Sequence, residues 1–197
     1  MQSDNTGDAP AARTFDEVVE ATLAPTAEPT AEPTPEPTAV PAMTVSSAGI
    51  VDGTLADAYG KHGTQKKGGT PTLSPPLSVA NVPEGTVCFA IVMLDPDSVP
   101  LCGYEWVHWL AANIKQGDLA ENASIDAAAT MVQGRNDFKK SGYGGPTPPD
   151  KAHNYVITVY ALDTELDLTE GFDKDALLTA MNGHVLALAT ITAEYRK

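Results

Sequence analysis

"GTVCFAIVMLDPDSVP" occupies residues 85–100 and sets an apolar run directly against two aspartates that flank a proline. The apolar part, 85–94, follows the turn signal "VPEG" and is too short for an ordinary helix. Its length and its β-branched and aromatic content predict a strand buried on both faces. Pro96 holds Asp95 in extended backbone and fixes its own φ, so the first carboxylate leaves the strand end in a set direction. Such aim matters when an imidazole is in reach, because a carboxylate favours the protonated ring, and a protonated ring holds a phosphate or sulfate oxygen. His108, on the next apolar segment, is the expected partner of Asp95.

That segment, "WVHWLAANI" (106–114), reads as a strand. A strict period of two puts Trp106, His108, Leu110 and Ala112 on one face and Val107, Trp109, Ala111 and Asn113 on the other. "HNYVITVYAL" (153–162) and "LALATITAEY" (186–195) predict two further strands. In the first of these, His153 and Tyr155 point the same way. "DKDALLTAMNGH" (173–184) predicts a short helix. Asp173 is its N-cap, Leu177, Leu178 and Met181 are its apolar stripe, and Gly183 is its left-handed C-cap. The domain is thus mainly β with a few short helices.

Between the second and third strands lies "KSGYGGPTPPDKAHNY" (140–155). Gly142, Gly144 and Gly145 permit close backbone approach and can turn amides toward an anion, while Pro146, Pro148 and Pro149 stiffen the loop. Two imidazoles, a phenol, glycine amides and an aspartate pair together suit a small phosphate-bearing group. Each residue alone has a plainer reading. Asp95 and Asp97 could cap a turn, His108 could be a core histidine, and Trp106 could be packing. His62 and His184 have no comparable context and read as structural.

Residues 1–42 are of another kind. "PTAEPTAEPTPEPTAVP" (25–41) repeats Thr-Ala-Glu-Pro and has almost nothing to bury, so an extended, disordered tail is expected. Phe15, Val18, Val19 and Thr22 share a helical spacing ahead of it, in a helix too short to be stable alone. The boundaries that follow are 1–42 for the acidic Pro-rich tail or stalk and 43–197 for the folded domain. Pro/Thr/Glu stalks commonly hold an extracellular domain away from an envelope, so an extracellular or envelope-tethered position is expected, with a cytoplasmic tail as the alternative.

The formal charge of −14 argues against nucleic acid as a partner, because phosphate neutralisation needs a basic face. No apolar run is long enough for a membrane-spanning helix. Cys88 and Cys102 are too few for a scaffold; they form either a disulfide or one buried and one loop thiol. No HxH or HExxH spacing supports a metal site, and no cofactor motif is present. Ser141 with His153 and an aspartate has the residue types of a hydrolase triad, but no GxSxG elbow accompanies it.

The segments "LSPPLS", "VPEGT", "DPDSVP", "WVHW", "NDF", "KSGYGGPTPP", "HNYVITVYALD" and "GHVLALATITAEY" occur in one order from about residue 44 to the C-terminus. In this order they resemble the phosphatidylethanolamine-binding protein family, also called the Raf kinase inhibitor protein family, in its bacterial and archaeal form. The resemblance implies a β-sandwich of two antiparallel sheets and a small cavity that binds phosphate-like anions, phospholipid head groups or nucleotides. It implies binding roles for Asp95 and Asp97, Trp106 and His108, Gly145 and Pro148, and His153 and Tyr155. Departures occur at Val79, at the Ser98–Val99 insertion and at Asn154, where the family often carries Trp, a shorter turn and Arg. The expected function is noncatalytic binding of a small phosphate-containing ligand. The alternatives are a module that inhibits a kinase or protease through the pocket rim and, last, a hydrolase. A homodimer is a further expectation.

Overall fold

The structure, a computed structural model, describes residues 41–197. Residues 1–40, which hold the expected short helix and all but the last two residues of the expected Pro-rich stalk, lie outside the described residues. The strands are β1 (Thr44–Ser46), β2 (Ile50–Val51), β3 (Thr54–Leu55), β4 (Lys66–Lys67), β5 (Thr70–Pro71), β6 (Ser78–Ala80), β7 (Cys88–Asp95), β8 (Trp106–Ile114), β9 (Val132–Gln133), β10 (His153–Leu162) and β11 (Val185–Tyr195). The short helices are α1 (Val99–Cys102), α2 (Ala123–Asp126) and α3 (Lys174–Met181). A seven-stranded sheet runs β2-β3-β11-β10-β7-β8-β9, and the pairs β1-β6 and β4-β5 form small separate sheets. The fold is mainly β, and pairing is antiparallel except for one parallel bridge between Glu194 and Thr54.

β7 lies between β10 and β8 in the middle of the large sheet, and its apolar composition follows from that position. Phe89, Ile91 and Met93 enter one core with Trp109, Ile157 and Val159. Cys88, Ala90 and Val92 enter a second core, on the other face, with Leu110, Phe172, Leu177 and Met181. A strand covered on both faces has no polar positions until it leaves the sheet, so the first charge falls at Asp95.

β8 breaks the period of two. Met93 pairs with Trp109 and Leu94 with Val107, so His108 is the extra residue of a β-bulge. Beyond it, Trp109 and Ala111 share the core of Ile91 and Met93, whereas Leu110 and Ala112 share the opposite one with Val107, which precedes the bulge. The expected grouping of Trp106 and His108 with Leu110 and Ala112 is therefore wrong. A second irregularity lies between Ala111 and Ile114, where Asn113 takes a positive φ of 59°.

α3 starts as expected, with the Asp173 side chain accepting from the Ala176 amide at 2.9 Å. Leu177 and Met181 are buried, but Leu178 is 45% exposed and is no part of the apolar stripe. Both cysteines are free, Cys88 buried and Cys102 exposed, so the disulfide alternative is not formed. Among the described residues no helix is long and apolar enough to cross a membrane. Truncating Asp173→Ala is expected to cost about 1 kcal/mol, while Leu178→Ala should stay within about 0.5 kcal/mol of wild type. Urea unfolding of the two variants checks this ordering.

Candidate functional site

Both aspartates of the Asp-Pro-Asp turn grip the start of β10. Asp95 is buried, and its Oδ2 meets His153 Nδ1 at 2.7 Å. Its Oδ1 accepts from the Ser98 amide at 3.1 Å, which caps the 3-10 turn that Pro96 begins. Asp97 Oδ2 accepts from the backbone N and the side-chain Nδ2 of Asn154, at 2.8 and 3.1 Å. The stiffness of Pro96 thus serves two neighbouring contacts on one strand end, and the partner of Asp95 is His153 rather than His108.

Ser98, part of the insertion that departs from the family pattern, is the hub of the loop into β8. Its Oγ lies 2.6 Å from Asp95 O and accepts from the Trp106 amide at 2.8 Å. This fixes α1, which carries Leu101 and Cys102 toward the sheet end. The result is a cavity of about 250 Å³, lined by Asp95, Ser98, Trp106, His108, His153 and Tyr155. Leu101, Cys102, Phe138, Thr147, Pro148 and Pro149 complete its wall.

Of the eight residues singled out in the sequence, six therefore share one cavity, and Asp97 and Gly145 lie outside its wall. Gly145 is structural. Its amide donates to Pro71 O at 2.9 Å, and a Cβ there would stand 2.1 Å from Tyr59 O. The amide of Gly144 donates to His108 O and that of Gly142 to Gly134 O, so none of the three glycine amides is free for an anion.

The two histidines differ in kind. His108 is buried by Phe138 and Tyr155, and its Nδ1–H donates to Gly144 O. Burial pulls its pKa down to about 4, against smaller upward pulls from Gly144 O, Asp95 and Asp137. At neutral pH it is a neutral ring with its lone pair on Nε2. For His153, burial also favours the neutral ring, but hydrogen bonds to Asp95 and to Asp150 Oδ1 outweigh it and raise the pKa above 6.5. Its two N–H groups are both occupied by carboxylates. The expectation of two protonated imidazoles gripping an anion therefore fails, because one ring is neutral and the other has no free donor.

Two cavity-wall side chains do carry free donors. Trp106 Nε1 and Tyr155 Oη are buried and have no hydrogen-bond partner. Tyr155 stands beside Asp95, and burial, that negative charge and the hydroxyl's approach to the carboxylate as a hydrogen-bond donor raise its pKa well above 10, so the hydroxyl keeps its proton; Asp95 is the acceptor with which a ligand would compete. An unsatisfied buried donor costs roughly 1–3 kcal/mol, and two on the wall of one hollow ask for an acceptor that fills it. Among the described residues no group of three or more His, Cys, Asp and Glu is placed to hold a metal ion.

The sequence reading missed Asp150 and Phe138. Asp150 lies three residues before His153 and was hidden in the proline loop; Phe138 lies within the quoted "NDF", which carried no assigned role. The low pKa of His108 has a measurable consequence. An unfolded histidine takes up a proton near 6.5 and the folded one does so only near 4, so stability is complete above 6.5 and is lost as pH falls through that window. Between pH 7 and 4.5, wild type should lose roughly 2 kcal/mol more than His108→Gln. Equal losses in paired urea titrations would contradict the buried neutral ring.

A model of the phosphatidylethanolamine-binding protein family matches residues 45–196. The chain is 40% identical over 152 residues to the uncharacterised protein YxkA of Bacillus subtilis, covering 70% of this chain and 90% of that one. A UPF0098 protein of Chlamydia trachomatis is 40% identical over 129 residues, covering 64% of this chain and 83% of its own length. Among solved structures, the homologue CT736 of Chlamydia trachomatis superposes with a TM-score of 0.69 at 34% identity, covering 79% of this chain and 98% of that one. Escherichia coli YbcL, described as a new member of the mammalian family, gives a TM-score of 0.67 at 33% identity with the same coverage. The family model, the sequence relatives and the superposed structures agree, and the chain belongs to the phosphatidylethanolamine-binding protein family.

Proposed function

We propose that the domain is a noncatalytic binding module whose cavity takes the phosphate-like end of a small ligand, free or as a phospholipid head group. The observation that carries this reading is the pair of partnerless donors, Trp106 Nε1 and Tyr155 Oη, on one wall. A phosphoryl group presents several acceptor oxygens on one atom, so it can satisfy both at once. The hollow of about 250 Å³ suits a head group, and Leu101, Phe138, Pro148 and Pro149 offer apolar contact to whatever the phosphate is attached to.

The noncatalytic reading is supported by both histidines: the ring nitrogens of His153 both face carboxylates, and the buried His108 ring, with its pKa pulled down to about 4, is a poor base for a hydroxyl. Ser141 is not among the residues of the cavity wall. A second reading, docking of a protein such as a kinase or protease at the rim, is favoured by one feature. Val99, Leu101 and Tyr104 are 43%, 52% and 47% exposed beside the mouth, an apolar edge that a partner would cover. For localisation, the Pro/Thr/Glu tract supports a stalk that holds the domain outside the cell, and cell fractionation tests it.

Calorimetry with inorganic phosphate and phosphoethanolamine tests the binding reading. Tyr155→Phe should weaken both roughly five- to tenfold, the worth of about one hydrogen bond, with the melting temperature little changed. Equal affinity in wild type and variant, or no binding by wild type at millimolar ligand, would remove the cavity from consideration.

A further inference from the structure

The cavity offers donors and an acceptor in a fixed arrangement, and this constrains the protonation state of its ligand. Gly144 O fixes the His108 tautomer by taking the Nδ1 proton, which leaves Nε2 as a lone pair on a ring of the cavity wall. The ring stays neutral because it is buried, although Asp95 at the end of β7 and Asp137 after β9 pull toward protonation; His153 on β10 pulls against it. No protein group within hydrogen-bond distance gives a proton to Nε2, since Tyr155 Oη is itself unpartnered. A fully deprotonated oxyanion placed here would meet two donors, but also a lone pair and the Asp95 carboxylate.

We propose that the site selects a singly protonated phosphomonoester, which accepts from Trp106 Nε1 and Tyr155 Oη and donates its P–OH to His108 Nε2. This rests on the anion-site reading above and adds a rule of selection to it. Each group is then satisfied: two protein donors meet phosphoryl oxygens, and the ligand's one hydrogen meets the one open lone pair. Unprotonated monoanions of the same shape leave that lone pair facing a negative oxygen. Sulfate monoesters are therefore rejected although they match phosphate monoesters in size and charge, because a site built to hydrogen-bond a hydroxyl discriminates strongly against the analogue without one.

Methyl phosphate and methyl sulfate form the test pair, titrated calorimetrically into the full chain at pH 5.5 and pH 8. Phosphomonoesters lose their second proton near pH 6, so the fraction of monoanion falls roughly 80-fold between these values. Methyl phosphate affinity should fall by a similar factor, while methyl sulfate should bind at least about tenfold more weakly at pH 5.5. Methyl sulfate keeps its charge throughout, so any pH dependence that it shows reports titration of the protein, at His153 or His108, rather than of the ligand. In His108→Gln the amide can turn a donor or an acceptor to the ligand, and the gap between the two esters should close. Equal binding of both esters at pH 5.5, or a methyl phosphate affinity that is flat with pH, overturns the selection rule and leaves the anion site standing. No binding of methyl phosphate at pH 5.5 overturns the selection rule, and no binding of either ester at both pH values overturns the anion site as well.

Discussion

The hydrogen bond between Asp95 and His153 is the interaction on which the site depends. It joins the end of β7 to the start of β10 at a buried place on the cavity wall, where an unpaired carboxylate would be costly and a paired one is held in a single position. The other oxygen of Asp95 caps the turn into α1, so one side chain sets both a strand end and the loop that walls the cavity. Asp97 repeats the device one step outward on Asn154. With Asp150 on its far nitrogen, His153 is consumed by this framework. The residue that looks most like a catalytic base is a structural hydrogen-bonding link between two carboxylates.

This division of labour leaves the cavity chemistry to Trp106, His108 and Tyr155. Their arrangement depends on the β-bulge in β8, because an unbroken period of two would send His108 into the same core as Leu110. The extra residue turns the imidazole toward Tyr155, with ring centroids 5.1 Å apart, and lets its Nδ1 reach Gly144. Gly144 in turn donates its amide to the backbone of His108, so the glycine loop and the bulge hold each other. Burial then keeps the ring neutral, and a neutral ring of fixed tautomer reads the hydrogen on a ligand rather than its charge.

Much of this was legible in the chain. Apolar runs bounded by turn residues placed β7 and β8, since a strand covered on both faces has little other way to be written, and alternation placed β10 and β11, where buried positions alternate with more exposed ones. Period two correctly set His153 beside Tyr155, where β10 is regular. It failed on β8, since a bulge changes parity without any change in composition. The exchange of partners followed from that: His108 was nearest to Asp95 in sequence, but pairing across β10 brought His153 closer. The glycines were read as free amides because a sequence does not show which carbonyls are waiting for them; Pro71 O and His108 O come from distant segments, and Gly134 O from the other side of a local turn. Leu178 failed for a similar reason, as helix spacing marks a stripe but not how wide its cover is.

The most direct test of this account is the protonation of the two site histidines, read by long-range proton–nitrogen NMR on ring-labelled protein from pH 5 to pH 8. The account predicts that His108 remains neutral with its hydrogen on Nδ1 across the range, while His153 carries a hydrogen on both nitrogens at pH 5 and holds it to a higher pH than a free imidazole. A His108 ring that titrates near pH 6.5, or one that carries its hydrogen on Nε2, would contradict it.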